Sequence, residues 1–327
     1  MHGFKWMSPP IAGLGLIAIA LAIWVIAIWK PPIALPPPDP AIQSPDSQFL
    51  RHHWIVSPQQ AKMLVEHGAT LLDARPLKAL RPKRLRGAIA VSWQDFSQSQ
   101  KPHRGQLLED DRQLEGLLRP IGVFRDRPVV VVGDPVNGWG EEGRIVWMLR
   151  TLGHDRAVWV DGGHVALKAA GIPETLSLSP TQPQNGDFEV RRRPDWTVTR
   201  DELKQQIHQN HIVIIDSREP REYRGQTPYG ESRGGHIPGA VSLYYREFLA
   251  PSGMLLPRDR ILAQLAERGI TPALPIATYC TGGVRSAWLA AVLTDLGFEA
   301  KNYPGSLWEW SASPAEDYPL RVDFNSK

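Results

Sequence analysis

Residues 275–297, PIATYCTGGVRSAWLAAVLTDLG, read as a short apolar strand, a glycine-containing turn and an amphipathic helix. From Leu289 to Leu296, apolar residues recur at the i, i+3, i+4, i+7 spacing that forms one helix face. Gly297 follows where helices are commonly capped. A strand that leads directly into a helix predicts a parallel α/β sheet.

The same pattern occurs earlier in the chain. Residues 129–154 contain the apolar run VVVV, a loop, and a helical segment ending at Leu152-Gly153. An apolar strand ending in Asp-x-Arg also occurs twice, in TLLDARP (70–76) and VIIDSREP (213–220). The two copies of each motif lie too far apart in the chain to be units of a short solenoid repeat. We therefore predict two duplicated α/β domains.

This repeat, together with the composition of the remaining segments, predicts five regions. They are an N-terminal membrane anchor (1–30), a proline-rich spacer (31–50), a non-catalytic domain (51–175), a linker (176–194) and a catalytic domain (195–322).

The N-terminal region contains the uncharged apolar stretch IAGLGLIAIALAIWVIAIW (11–29), which is close to the length of a membrane-spanning helix. A cleaved secretory signal is the alternative, but Lys30-Pro31-Pro32 does not resemble a small-residue cleavage site. We therefore predict a single-pass membrane protein that contacts the membrane through residues 11–29. The charge of Lys5 favours placing the globular part on the non-cytoplasmic side.

Composition narrows the possible functions. A formal charge of +3 is too small to predict a nucleic-acid partner. A single cysteine, Cys280, excludes an intramolecular disulfide framework and any zinc site built from several thiolates. The oligomeric state cannot be predicted from these features.

Cys280 lies at the carboxyl end of an apolar strand and begins the loop CTGGVRS (280–286). In open α/β sheets, sites lie beyond this end of the strands. The two glycines allow backbone N–H groups to converge, and the next helix adds its positive N-terminal end. Such a loop favours an anion and lowers a thiol pKa. A buried structural cysteine is the alternative, but it would not account for the paired glycines and Arg285.

Four motifs taken together resemble the catalytic domain of the rhodanese family: Asp-Ser-Arg (216–218), GHIPGA (235–240), CTGGVRS (280–286) and YPGSLWEW (303–310). The resemblance implies two rhodanese-like domains, each a parallel sheet flanked by helices. It also implies that Cys280 takes a sulfane sulfur from a donor such as thiosulfate, holds it as a persulfide, and passes it to cyanide or a thiol. No metal or organic cofactor is implied.

The resemblance also assigns roles to neighbouring residues. The predicted substrate-binding residues are those of the cysteine loop together with one residue in the position of a family arginine: Thr281, Gly282, Gly283, Val284, Arg285 and Glu222. The predicted supporting residues order the loops around the site: Asp216, Arg218 and Ser286.

Glu222 departs from the family pattern, because tandem rhodaneses commonly carry an arginine at this position that holds the anionic donor. We expect a carboxylate near the cleft to repel thiosulfate and raise its KM. The alternative is that Glu222 faces solvent and pairs with Arg221 or Arg224. Gly282 also occupies the position where thiosulfate sulfurtransferases usually have a cationic residue. The sequence therefore does not identify the sulfur donor.

The first domain has no thiol with which to react. Counting from its strand places Asp134 opposite Cys280, and counting back from its helix places Val136 there. We expect this half to supply one wall of a cleft between the domains.

There are two alternatives to a sulfurtransferase function. Phosphatases and arsenate reductases share the fold but typically have C-x5-R, whereas Cys280 to Arg285 fits the shorter C-x4-R. The main alternative is a membrane-tethered persulfide carrier or sensor that exchanges sulfur only with a protein partner.

Overall fold

Two parallel β-sheets organise the chain in a computed structural model, which describes residues 46–76, 83–176 and 183–322. The strands are β1 (Ile55–Val56), β2 (Thr70–Asp73), β3 (Lys83–Leu85), β4 (Ile89–Ala90), β5 (Val129–Val132), β6 (Ala157–Val160), β7 (Glu174–Leu176), β8 (Val213–Asp216), β9 (Val241–Ser242), β10 (Ile276–Tyr279) and β11 (Ala300–Asn302).

The two sheets have matching strand orders. The first is β1-β6-β5-β2-β4 and the second is β11-β10-β8-β9, with every neighbouring pair parallel. A parallel bridge between Thr197 and Asn302 extends the second sheet beside β11, as β1 does beside β6 in the first. β3 and β7 form a separate antiparallel ribbon. The α/β architecture predicted from the repeat is confirmed.

Helices cover the sheets. They are α1 (Ser47–His52), α2 (Pro58–Glu66), α3 (Asp111–Leu118), α4 (Glu141–Thr151), α5 (Gly163–Ala169), α6 (Arg200–His208), α7 (Pro220–Tyr223), α8 (Arg258–Glu267), α9 (Val284–Asp295) and α10 (Ser306–Trp310). Short 3-10 helices span Trp93–Phe96, Arg119–Ile121, Pro194–Trp196 and Tyr245–Phe248.

Three apolar clusters fill the described chain. One cluster covers the outer face of each sheet, and the largest is shared by both halves and includes α4 and α9. Both sheets are therefore buried on both faces, as parallel sheets require. This burial explains why the central strand Val129–Val132 is entirely apolar.

The repeated helices α4 and α9 pack against each other at a very short distance. A Cβ placed on Gly143 of α4 would lie 2.6 Å from the Cα of Trp288 in α9. Both residues are buried, and the Trp288 ring also lies near Trp159 and Tyr245. Gly143 thus allows the two halves to share one core.

Strand register corrects the prediction for the first half. Val132 pairs with Asp73 as Tyr279 pairs with Asp216, so the residue corresponding to Cys280 is Gly133. Asp134 and Val136 were both wrong, because the apolar run ends one residue earlier than the count assumed and the loop that follows is longer.

The prediction of a single-pass membrane protein is also corrected. Each helix in the described ranges is too short or too polar to cross a lipid bilayer. The segment on which the prediction rested, residues 11–29, lies outside the described residues, as does most of the proline-rich spacer.

Gly143→Ala tests the close helix packing. We expect it to lower the free energy of unfolding by about 1–3 kcal/mol, because the added methyl group overpacks the shared core. Denaturant unfolding measures the change. Gly116→Ala is the matched control, since Gly116 is an exposed glycine of α3 with open space around its Cα.

The control should be neutral or should raise stability by about 0.5–1 kcal/mol, as Gly→Ala does within helices. Equal effects at the two positions would contradict close packing at Gly143.

Candidate active site around Cys280

The turn that carries Cys280 connects β10 to α9. Gly283 adopts a left-handed conformation (φ +80°) at the start of α9, and Gly140 does the same (φ +81°) at the start of α4. Residues with a Cβ rarely adopt this conformation. The glycine therefore permits the abrupt change from strand to helix that leaves the thiol at the helix N-terminus.

Hydrogen bonds converge on the thiol. The Gly283 N–H donates to the Cys280 Sγ at 3.2 Å, and the Ser286 hydroxyl lies 3.5 Å from the same atom. Cys280 itself is only 1% exposed. The backbone N–H of Cys280 donates to the Ser306 Oγ at 3.1 Å, which fixes the residue from the opposite side.

The surroundings of Cys280 stabilise its thiolate. Burial alone raises the pKa of the thiol, but the positive charge of Arg285 and hydrogen bonds from Ser286 and the loop backbone outweigh it. The pKa of Cys280 therefore falls below its ordinary value. A lower thiol pKa increases the fraction of nucleophilic thiolate near neutral pH.

Arg285 is held in place by Glu222. The guanidinium donates to both Glu222 carboxylate oxygens, at 2.6 and 2.8 Å, and to the Thr281 hydroxyl at 2.9 Å. Glu222 is fully buried, and despite that burial the Arg285 contacts lower its pKa. Such a bidentate pair fixes both position and direction.

This contact corrects the alternative expectation for Glu222. It does not face solvent, and its partner is neither Arg221 nor Arg224, since Arg221 instead pairs with Glu219 at 2.5 Å. Its carboxylate neutralises Arg285 instead of standing unpaired toward the cleft. α7 points Glu222 inward, an orientation that sequence spacing alone could not reveal. Its role in substrate binding remains a prediction.

A second carboxylate, Glu231, also approaches the loop. Its Oε1 lies 3.0 Å from the Thr281 Oγ1, which is equally close to Glu222. The Thr281 hydroxyl has one proton and can donate to only one of the two carboxylates. Two buried carboxylates therefore lie beside the cysteine loop: Glu222 pairs with Arg285, and Glu231 contacts Thr281.

Arg144, from the first half of the chain, forms a hydrogen bond with the cysteine loop. It is 1% exposed and donates to Gly283 O at 3.1 Å, Ser97 Oγ at 3.1 Å and Gly105 O at 2.6 Å. Burial lowers the pKa of Arg144 to about 9, so it remains a cation at neutral pH. No sequence motif marks this residue, because its contact with Gly283 joins positions far apart in the chain.

The other predicted supporting residues lie nearby. Asp216 and Arg218 form a buried ion pair with a 2.7 Å contact, and Arg218 also donates to Gly235 O at 2.7 Å. The Ser286 hydroxyl lies 2.7 Å from the Asn302 Oδ1, and its one proton is donated either to that oxygen or to the Cys280 Sγ. These contacts tie the end of β8, the GHIPGA segment and β11 to the site.

A cavity of about 620 Å³ opens in front of Cys280. It is lined by residues from both halves: Trp93, Gln94, Ser97, Gln98, Ser99, Arg104, Trp139, Pro228, Tyr229, Cys280, Thr281, Gly282, Val284, Arg285 and Trp308. Four of these residues are tryptophan or tyrosine, so aromatic side chains form a large part of a wall that also contains polar groups. The structure places the predicted loop residues Thr281, Gly282, Val284 and Arg285 in this wall.

The corresponding loop of the first half is chemically different. Glu142 occupies the helix position equivalent to Arg285, and a Cβ at Gly133 would overlap the Glu142 carboxyl group. Burial raises the pKa of Glu142 to about 8, with a further contribution from Glu141. With a glycine in place of the thiol and a carboxyl group in place of the cation, this loop lacks both groups that characterise the Cys280 site.

Glu222→Gln tests the electrostatics of the thiol. The neutral amide leaves the Arg285 charge uncompensated, so we expect the pKa of Cys280 to fall further. The double variant Glu222→Gln/Arg285→Gln removes the cation as well and should raise the pKa above that of the wild type. The rate of iodoacetamide alkylation as a function of pH measures both shifts, since Cys280 is the only cysteine.

Shifts of the two variants in the same direction would contradict the role assigned to Arg285. Circular dichroism of each variant checks that the protein remains folded.

Comparison with known proteins agrees with this geometry. The sequence pattern of the rhodanese-like domain matches residues 199–313. A thiosulfate sulfurtransferase of Azotobacter vinelandii is 34% identical over 64% of this chain and 75% of its own length. A putative thiosulfate sulfurtransferase of Mycobacterium tuberculosis is 32% identical over 70% of this chain and 81% of its own.

A solved structure agrees in fold. The crystal structure of an Escherichia coli 3-mercaptopyruvate sulfotransferase superimposes with a TM-score of 0.65 at 22% identity, covering 78% of this chain and 98% of that one. This similarity shows the fold. The sequence relatives place the chain in the rhodanese-like sulfurtransferase family, and the protein is a sulfurtransferase.

Proposed function

We propose that the protein moves a sulfane sulfur from a small-molecule donor, such as thiosulfate, through a persulfide on Cys280 to a thiophilic acceptor, such as cyanide or a thiol. The observation that carries this proposal is the Cys280 thiol itself, which receives the Gly283 N–H at 3.2 Å and faces a cavity of about 620 Å³.

The reaction consists of two exchanges at sulfur. The Cys280 thiolate attacks the sulfane sulfur of thiosulfate, an S–S bond to Cys280 forms, and sulfite leaves with the electron pair of the broken bond. Cyanide then attacks the outer sulfur, and thiocyanate leaves while the Cys280 thiolate is regenerated. Both steps need only a stabilised thiolate and room for the extra sulfur.

The contacts around Cys280 support distinct roles. Gly283, Ser286 and Arg285 favour the anionic form of the sulfur, while Thr281 and Glu222 hold Arg285 in position. Gly282 allows the Trp308 ring to pack directly against the loop, because a Cβ there would overlap the indole. Asp216 and Arg218 position the neighbouring segment.

We further propose that residues 51–175 and 195–322 are two rhodanese-like domains, of which only the second is catalytic. The matching strand orders, the repeated Asp-x-Arg ion pairs and the paired left-handed glycines support this division. The first domain contributes Arg144 behind the loop and Trp93 and Arg104 to the cavity.

Cys280→Ser should reduce thiocyanate formation from thiosulfate and cyanide to the uncatalysed rate, because a serine hydroxyl is not deprotonated at neutral pH and accepts no sulfane sulfur. The side chains have similar volumes, so thermal unfolding should change little. Steady-state assays of the wild type and the variant measure the difference, and turnover by a folded Ser variant would refute the mechanism.

The carrier alternative predicts a different outcome in the same assay. A persulfide carrier that acts only with a protein partner would take up sulfur but would not turn over repeatedly with free cyanide. Many thiocyanate molecules released per chain support the enzyme, whereas none beyond the first supports the carrier. Hydrolysis of a phosphate ester included in the assay would instead support phosphatase activity.

A further inference from the structure

We propose that Arg104, in the first half of the chain, binds the anionic group of the sulfur donor, and that this donor is an organic persulfide whose anionic group is separated from the transferable sulfur. This inference rests on the proposed function, because it concerns donor selection at the Cys280 cavity.

At the inner end of the cavity, nearby carboxylates balance the positive charges of the arginines. Arg285 and Arg144 are the buried cations near the loop, and Glu222 and Glu231 are buried carboxylates beside it. With the Cys280 thiolate added, this end carries no surplus positive charge. A dianion such as thiosulfate, whose sulfonate is bonded directly to the transferable sulfur, would have to enter this region.

Arg285 also cannot turn toward a donor easily. Its guanidinium forms a bidentate pair with Glu222 and lies 5.6 Å from the ring centres of both Trp139 and Tyr229. Breaking this pair would leave Glu222 as a buried unpaired charge, which is costly. The positive charge of Arg285 therefore stabilises the Cys280 thiolate electrostatically, but its guanidinium is not available to bind a donor carboxylate.

Arg104 is the other charged side chain among the described residues that line the cavity. It is partly exposed, and no carboxylate in the described ranges forms an ion pair with it. Its guanidinium lies 3.8 Å from the ring centre of Trp308, a geometry typical of a cation–π contact. Arg104 is thus held at the wall with its hydrogen-bond donors still available for an anion.

Trp308 links this cation to the cysteine loop. Its ring packs directly against Gly282 while Arg104 lies over the same ring. The cation is therefore anchored on the Trp308 ring and is not one of the groups that contact the Cys280 sulfur. A donor that reaches both sites must carry its anionic group away from its sulfane sulfur, as a carboxylate-bearing persulfide does and thiosulfate does not.

The size and lining of the cavity fit such a donor. About 620 Å³ is much more space than thiosulfate requires, and aromatic walls suit the apolar part of an organic molecule. In the transfer, the Cys280 thiolate attacks the outer sulfur of R–S–S⁻, the S–S bond of the donor breaks, and R–S⁻ leaves with its electron pair. Atoms and charge balance without any further reactant.

Arg104→Gln tests the proposal with three donors: glutathione persulfide, which carries carboxylates, the persulfide of 2-mercaptoethanol, which carries none, and thiosulfate. We expect the KM for glutathione persulfide to rise about tenfold or more, with kcat changing less, because a charged hydrogen bond made in both ground and transition states is lost. The KM for the carboxylate-free persulfide should stay within about twofold of the wild-type value. Arg104→Lys should recover part of the loss.

Lys101→Gln is the matched control, since Lys101 is an exposed cation of the same loop that does not line the cavity. It should leave all three KM values near those of the wild type. An equal rise in KM for the persulfides with and without carboxylates would show that Arg104 merely supports Trp308, and no rise for either would also overturn the proposal.

Failure of the proposed function itself would look different. In that case wild-type Cys280 would take up sulfur from none of the three donors. If the wild type turns over but Arg104→Gln shows no charge-dependent change in KM, only the assignment of Arg104 fails.

Discussion

The close packing of α4 against α9 is the contact on which the site depends. Gly143 lets the two helices approach until its Cα faces the backbone of Trp288, and this approach aligns the two halves along one shared core. As a result, Arg144 reaches Gly283 and the segment around Gly105 lies against Gly282. The cysteine loop is therefore shaped partly by residues of the first half, which itself carries no thiol.

The second constraint is the balance of charge around Cys280. A helix N-terminus, a backbone N–H and a buried arginine favour the thiolate, while Glu222 holds that arginine in place and limits its charge. The same residues that favour the Cys280 thiolate thus leave little attraction for a second anion close to it. Under the proposed mechanism, this balance separates activation of the sulfur from recognition of the donor, which we assign to Arg104 in the cavity wall.

Much of the fold could be predicted from the sequence because its determinants are local. The apolar strands, the helical spacing before Leu152 and Leu296, and the Asp-x-Arg pairs each involve residues close together in the chain. The Cys280 loop was found for the same reason. The predicted membrane helix, in contrast, has no counterpart in the described part of the chain.

The partners of the site could not be predicted because they lie far apart in sequence. Glu222 is 63 residues from Arg285, and Arg144 is 139 residues from Gly283. Position within a motif indicated that Glu222 was unusual but not what it contacts. Arg104 belongs to no motif, and only the packing of the two halves brings it to the cavity.

The central claim is that Cys280 itself carries the transferred sulfur, and intact-protein mass spectrometry tests it most directly. After incubation with a donor and removal of excess, the account predicts a gain of about 32 Da, one sulfur atom, that maps to Cys280 and disappears on addition of cyanide. Sustained turnover without this gain, or the same gain in Cys280→Ser, would contradict the account.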